Sequence, residues 1–149
     1  MAVSPEIISQ LLPVLQPHEG CVLHAYQDSA GVWTIGWGHT GPEVHEGLVW
    51  TQSQADSQLV CDVEGHYSEI LAVYAAMQSL SPSRQAALLD FVYNEGIGHF
   101  RSSTLLRRLQ SGLYDDVPTE LMKWDLAGGR VLEGLALRRQ AECELWNQG

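Results

Sequence analysis

The stretch Glu19–Thr40, EGCVLHAYQDSAGVWTIGWGHT, decides how the rest of the 149-residue chain is read. Leu23 to Tyr26 and Trp33 to Trp37 carry the β-branched and aromatic residues that fit a pleated surface, and Asp28-Ser29-Ala30-Gly31 is a turn cluster between them. A hairpin is expected, with Glu19 ending a preceding helix and facing the small sheet. Asp28 follows Glu19 by nine residues and Thr34 follows Asp28 by six, with Gly31, Gly36 and Gly38 set among them.

Two carboxyls and a hydroxyl are groups that glycosidic-bond hydrolysis can use. That chemistry needs a protonated acid on the leaving oxygen and an ionised carboxylate near the oxocarbenium-like centre. Glu19, beside Gly20 and close to apolar Val22 and Leu23, suits the acid. Asp28, in a polar turn, suits the carboxylate. Thr34 is no base at neutral pH, but its hydroxyl can orient a water beside Asp28. Spacing alone also fits a turn aspartate and an unrelated solvated glutamate.

The full string goes further. Glu19, eight residues, Asp28, five residues, Thr34, then Ile35-Gly36-Trp37-Gly38-His39-Thr40 resembles the pattern of the phage-type lysozymes, endolysins that cut bacterial peptidoglycan. The family order continues through Phe91-Val92-Tyr93-Asn94-Glu95-Gly96-Ile97-Gly98, Phe100, Ser103-Thr104-Leu105-Leu106, Trp124, Gly134-Leu135, Arg138-Arg139 and Glu142, nearly the whole chain. The resemblance implies an α+β, lysozyme-like fold in one catalytic domain spanning residues 1–149. A small antiparallel sheet lobe, about residues 1–60, would be joined by a long helix, about 51–76, to a helical lobe, about 61–149. It implies hydrolysis of the β-1,4 bond between N-acetylmuramic acid and N-acetylglucosamine, with no metal and no cofactor. Glu19, Asp28 and Thr34 would be catalytic. Tyr93 and Asn94 would line the sugar groove, Thr40 and Thr104 would add substrate contacts, and His39 would pair with Asp62. Asn94 also reads as a helix C-cap before Gly96. Phe100 and Trp124 read as core, and Trp33 and Trp37 as hairpin packing. The alternatives are a lysozyme-like protein that binds glycan without cutting it and a hydrolase of chitin or chitosan. A pure binder has no use for the Glu, Asp and Thr trio.

At 45% apolar residues the chain can bury roughly two-thirds of its unfolded surface as one unit. No apolar run reaches the ~18 residues of a membrane span, and Met1-Ala2-Val3-Ser4-Pro5-Glu6 lacks the basic-then-apolar layout of a signal peptide. The expectation is a monomer made in the host cytoplasm without a stable membrane anchor, reaching the periplasm and cell wall through another factor such as a holin. Residues 1–83 hold nine acids and no Lys or Arg, and residues 84–149 hold nine acids and eight basic residues, so the halves carry −9 and −1 of the total −10. Nucleic acid is excluded as a partner, because phosphate binding needs a basic footprint. Cys21, Cys61 and Cys143 are odd in number and widely spaced, without a zinc pattern, and are expected to be buried free thiols. His18, His24, His45, His66 and His99 are scattered and read as surface or core residues.

Ser4 before Pro5 opens a helix whose stripe is Ile7, Ile8, Leu11, Leu12 and Leu15, with a kink or split expected at Pro13. Gly41 to Trp50 is a connecting loop. Thr51 and Gln54 form a capping box ahead of Ala55, Leu59, Val63, Tyr67, Ile70 and Tyr74, predicting a helix to about Ala76, ~40 Å long, with Gly65 as a gentle hinge. Ser81-Pro82 starts a helix that is apolar almost all round from Ala86 to Tyr93 and ends at Gly96 and Gly98. Shorter helices are predicted over Thr104 to Gln110 and over Val117 to Leu126, the latter stopped by Gly128-Gly129. Glu133 to Trp146 closes the chain, with Arg138 and Glu142 four apart on one face.

Overall fold

Ser4 accepts the Ile7 amide on its hydroxyl and so caps α1 (Pro5–Glu19), with Pro5 in the first turn, where a missing N–H costs nothing. The computed structural model describes residues 3–127 and 129–149. Of the kink or split expected at Pro13, the split does not occur, since α1 runs unbroken through both Pro13 and Pro17. Burial of Ile7, Leu11 and Leu15 on one face offsets the hydrogen bonds the prolines remove.

Gly20, at φ 69°, turns the chain into β1 (Val22–Gln27), β2 (Trp33–Gly36) and β3 (His39–Thr40). These pair antiparallel in that order, with Tyr26 opposite Thr34 and Ile35 opposite His39. The hairpin read from the sequence is thus two-thirds of a three-stranded sheet. Ile35 is fully buried and anchors it.

Thr51 and Gln54 exchange both capping-box hydrogen bonds at the start of α2 (Gln52–Val73). Its buried residues are Ala55, Leu59, Val63, Tyr67 and Ile70, and the helix is continuous through Gly65, where a hinge was expected. It ends before Ala76, because Tyr74 leaves helical geometry at φ −148° and a 3-10 turn over Ala75–Ser79 follows. Twenty-two residues make it ~33 Å long. It still connects the sheet lobe to the helical one.

α3 (Pro82–Glu95), capped by Ser81, buries every residue from Gln85 to Val92 and forms the centre of the helical lobe against α1 and α7 (Glu133–Gln148). Gly96 ends it at φ 89°, whereas Gly98 lies inside the short α4 (Ile97–Ser102). α5 (Thr104–Gln110) begins on the Ser103 cap. α6 (Val117–Met122) stops four residues short of Leu126, and a ladder of β4 (Leu126–Ala127) and β5 (Arg130–Val131) takes its place. Of the glycines expected to stop that helix, Gly129 lies in the ladder's turn and Gly128 lies outside the described residues.

One core runs through the lobe, including Leu11, Leu15, Ile70, Met77, Leu88, Phe91, Phe100 and Trp146. Trp124 sets its edge on Phe91 at 5.4 Å. The cysteines are free but not buried as expected: Cys61 is exposed and Cys21 and Cys143 are half-buried. Among the described residues no helix is long and apolar enough to cross a membrane.

Candidate active site

Glu19 is the last residue of α1, so its side chain leaves the helix towards the β2–β3 turn. Gly38 makes that approach possible: a Cβ there would lie 2.7 Å from Glu19 Oε2, and its φ of 87° suits only glycine. The sequence suggested an apolar setting for this carboxyl. The structure instead sets a guanidinium against it, with Arg138 Nη1 donating to Glu19 Oε1 at 2.6 Å. Arg138 is fixed from behind by Asp90, which accepts Nε and Nη2 on its two oxygens, each at 2.8 Å. Arg138 and Glu142 therefore do not form the expected four-apart pair; Arg139, three residues from Glu142, donates to it instead.

Two cavities lie near this contact, one lined by Gly38 and the other by Glu19 itself. The first, about 570 Å³, is lined by Gly38, His39, Thr40, Cys61, Asp62, His66 and Tyr93 among others. The second, about 500 Å³, is lined by His18, Glu19, Asn94, Leu132, Leu135 and Arg138 among others. Tyr93 donates its hydroxyl to the Trp37 carbonyl and so ties α3 to the sheet lobe. Burial, with the charges of Asp62 and Glu19, pushes that phenol far above its ordinary range, and it stays a donor. Asn94 accepts Arg139 Nη2 on Oδ1 at 2.8 Å, which leaves its amide hydrogens to donate.

Asp28 and Thr34 share Val32. Asp28 Oδ1 accepts the amides of Ala30 at 2.8 Å and Val32 at 2.9 Å, and Thr34 Oγ1 donates to the Val32 carbonyl at 3.0 Å. Asp28 is exposed and Thr34 is buried. With its proton committed to Val32, the Thr34 oxygen is left as an acceptor.

His39 Nδ1 lies 2.8 Å from Asp62 Oδ2, and Nε2 lies 2.5 Å from Glu43 Oε1. Burial opposes the imidazolium, but hydrogen bonds to Glu43 and Asp62 outweigh it and raise the His39 pKa. The bond to His39 lowers that of Glu43. Thr40 lines the first cavity beside this pair. Thr104 stands apart, accepting Arg107 Nη2 at the start of α5 and lining neither cavity.

The residues around Glu19 that the sequence did not mark are Arg138, as its partner, and the fully buried Asp90 behind it. The available signal was an Arg138-Arg139 doublet in a helix that packs on the apolar α3, where cations need buried acids. Among the described residues no three or more His, Cys, Asp or Glu are placed to hold a metal ion.

The phage lysozyme family model matches residues 16–142. A SAR-endolysin of Enterobacteria phage PA-2 is 35% identical over 132 residues, covering 87% of this chain and 79% of that protein. An endolysin of Acyrthosiphon pisum secondary endosymbiont phage 1 is 38% identical over 139 residues, 91% of this chain and 93% of that one. Among solved structures, a variant of P22 lysozyme aligns with a TM-score of 0.79 at 29% identity over 99% of both chains.

Proposed function

The chain belongs to the phage lysozyme family and is a peptidoglycan-degrading endolysin; from that premise we propose that it acts by water-mediated, inverting hydrolysis of the β-1,4 bond between N-acetylmuramic acid and N-acetylglucosamine. The observation that carries this reading is the placement of Glu19 on the wall of a cavity, held by Arg138 and given room by Gly38.

Glu19 protonates the leaving sugar oxygen. Asp28, kept in position by two backbone amides, takes a proton from a water on the other face of the ring. Thr34 accepts that water's second hydrogen and sets its direction of attack. An acceptor beside the carboxylate has this task if water attacks and none if Asp28 itself attacks. Tyr93, Thr40 and the Asn94 amide are the proposed sugar contacts, and Thr104 a weaker one. The protein acts as a monomer on the cell wall, has no nucleic-acid partner, and is released from the host cytoplasm by a separate membrane-permeabilising factor.

Two measurements test this. Glu19→Gln keeps the shape and removes the proton, so clearing of purified peptidoglycan should fall at least ~10²-fold with the fold intact. NMR of the first-formed product should show the α anomer. An initial β anomer, or a 1,6-anhydro sugar from attack by the substrate's own C6 hydroxyl, sinks the water-mediated step.

A further inference from the structure

Behind the Glu19–Arg138 contact sits a buried group of charges that this chemistry does not use. Asp90 on α3 and Glu142 on α7 are both fully buried. Glu142 accepts Arg139 Nη2 on Oε2, while its Oε1 meets no donor among the described residues. Burial and the neighbouring Asp90 push Glu142 well above the usual carboxylate range. Burial acts on Asp90 too, but the Arg138 fork outweighs it and holds Asp90 below that range.

The other groups facing this cluster are Glu19 and His18 from α1, Tyr93, Asn94 and Glu95 from α3, and Arg139, Glu133 and Cys143 from α7. His99 of α4 reaches Glu95 at 3.5 Å. Glu95 is engaged by Arg139 at 3.0 Å, so Asp90 is the one carboxylate that takes both Nε and Nη2 of Arg138.

We propose that Asp90 is a positioning residue for Glu19: it supplies the counter-charge of Arg138 and fixes its fork, so that Arg138 steers the Glu19 carboxyl without acting on it as an unbalanced cation. This rests on the reading of Glu19 as the acid. The need follows from the chemistry. A general acid must keep its proton until the leaving oxygen takes it, and a bare guanidinium 2.6 Å away favours the ionised carboxyl. A balanced one does not. The planar fork, filled on one side by Asp90, leaves Nη1 in a fixed direction towards Glu19.

The test is the pH dependence of kcat/KM on soluble peptidoglycan fragments, with circular dichroism monitoring the fold. Asp90→Asn keeps the shape and removes the counter-charge. Its alkaline limb, which reports loss of the acid's proton, should move to lower pH by about one unit, with kcat falling about tenfold and KM changing little. Glu142→Gln should leave the limb in place, because Asp90 still fills the Arg138 fork. A limb unchanged in Asp90→Asn overturns the proposal, and so does a limb that moves equally in Glu142→Gln. Should Asp90→Asn fail to fold, Asp90→Glu decides: it keeps the charge and shifts the fork, so kcat should fall with the limb in place, and an unchanged kcat overturns the proposal. Failure of the underlying reading looks different, since Glu19→Gln would then retain activity whatever Asp90 does.

Discussion

Gly38→Ala separates backbone strain from displacement of the Glu19 carboxyl. At φ 87° an alanine pays about 1–2 kcal/mol for a left-handed conformation. The same cost applies to Gly112→Ala at φ 72°, where nothing lies within 4 Å of the new methyl. At Gly38 the new carbon would stand 2.7 Å from Glu19 Oε2, and ordinary contact begins near 3.4 Å, so the carboxyl must retreat by about 0.7 Å. Its other oxygen is held by Arg138 at 2.6 Å, so the carboxyl cannot swing away without losing or distorting that bond. Misplacement on the scale of 1 Å costs up to ~10²-fold in rate. Both variants should therefore lose similar stability in urea denaturation, about 1–2 kcal/mol. Gly38→Ala alone should lose at least ~10-fold in kcat on purified peptidoglycan. Equal activity in the two variants would refute the claim that Gly38 exists to admit Glu19.

The His39–Asp62 contact is testable through pH. A histidine whose pKa rises on folding contributes stability fully below its unfolded value and loses it as pH climbs through the folded one. Asp62→Asn should therefore lower stability in urea denaturation most near pH 5 to 6, by about 1–2 kcal/mol, and progressively less at alkaline pH; a pH-independent loss would count against the pair. Glu43 is depressed, so its share appears above its unfolded pKa and fades as pH falls, and Glu43→Gln should matter less than Asp62→Asn because its side chain is 56% exposed. Thr51→Ala removes one reciprocal bond at the start of α2 and should cost about 1 kcal/mol, or ~2–4 °C in Tm, with activity retained; no change in Tm would refute the cap's role.

What could be read from the sequence was what local chemistry dictates. Ser4, Thr51 and Ser81 marked helix starts because a side-chain oxygen next to a helical stripe has one obvious partner, and each accepts the amide three residues on. The stripe on α2 was legible for the same reason. Endings were less so. Tyr74 leaves the helix to bury its ring, and the β4–β5 ladder replaces the end of α6, both decided by packing across the lobe. At Pro13 the local rule gave the cost of the proline but not the continuity of the helix, because Leu11 and Leu15 on the same helix are completely buried. In the site, Glu19, Asp28 and Thr34 lie close in sequence and were visible as a pattern. Arg138 was visible only as a helical residue, because which carboxylate it meets depends on how α7 crosses α1 and α3. Sequence spacing paired it with Glu142, and burial turned it to Asp90.

That crossing also sets an order of events during synthesis. Residues 1–83 hold no Lys or Arg, and the cation that bonds both Glu19 and Asp90 is Arg138, synthesised 119 residues after Glu19. Until then Asp90 has no counter-ion at the place it must occupy, and the helical lobe cannot close around it without burying a bare charge. A nascent chain therefore carries Glu19, Asp28 and Thr34 well before Arg138 can hold Glu19 in place.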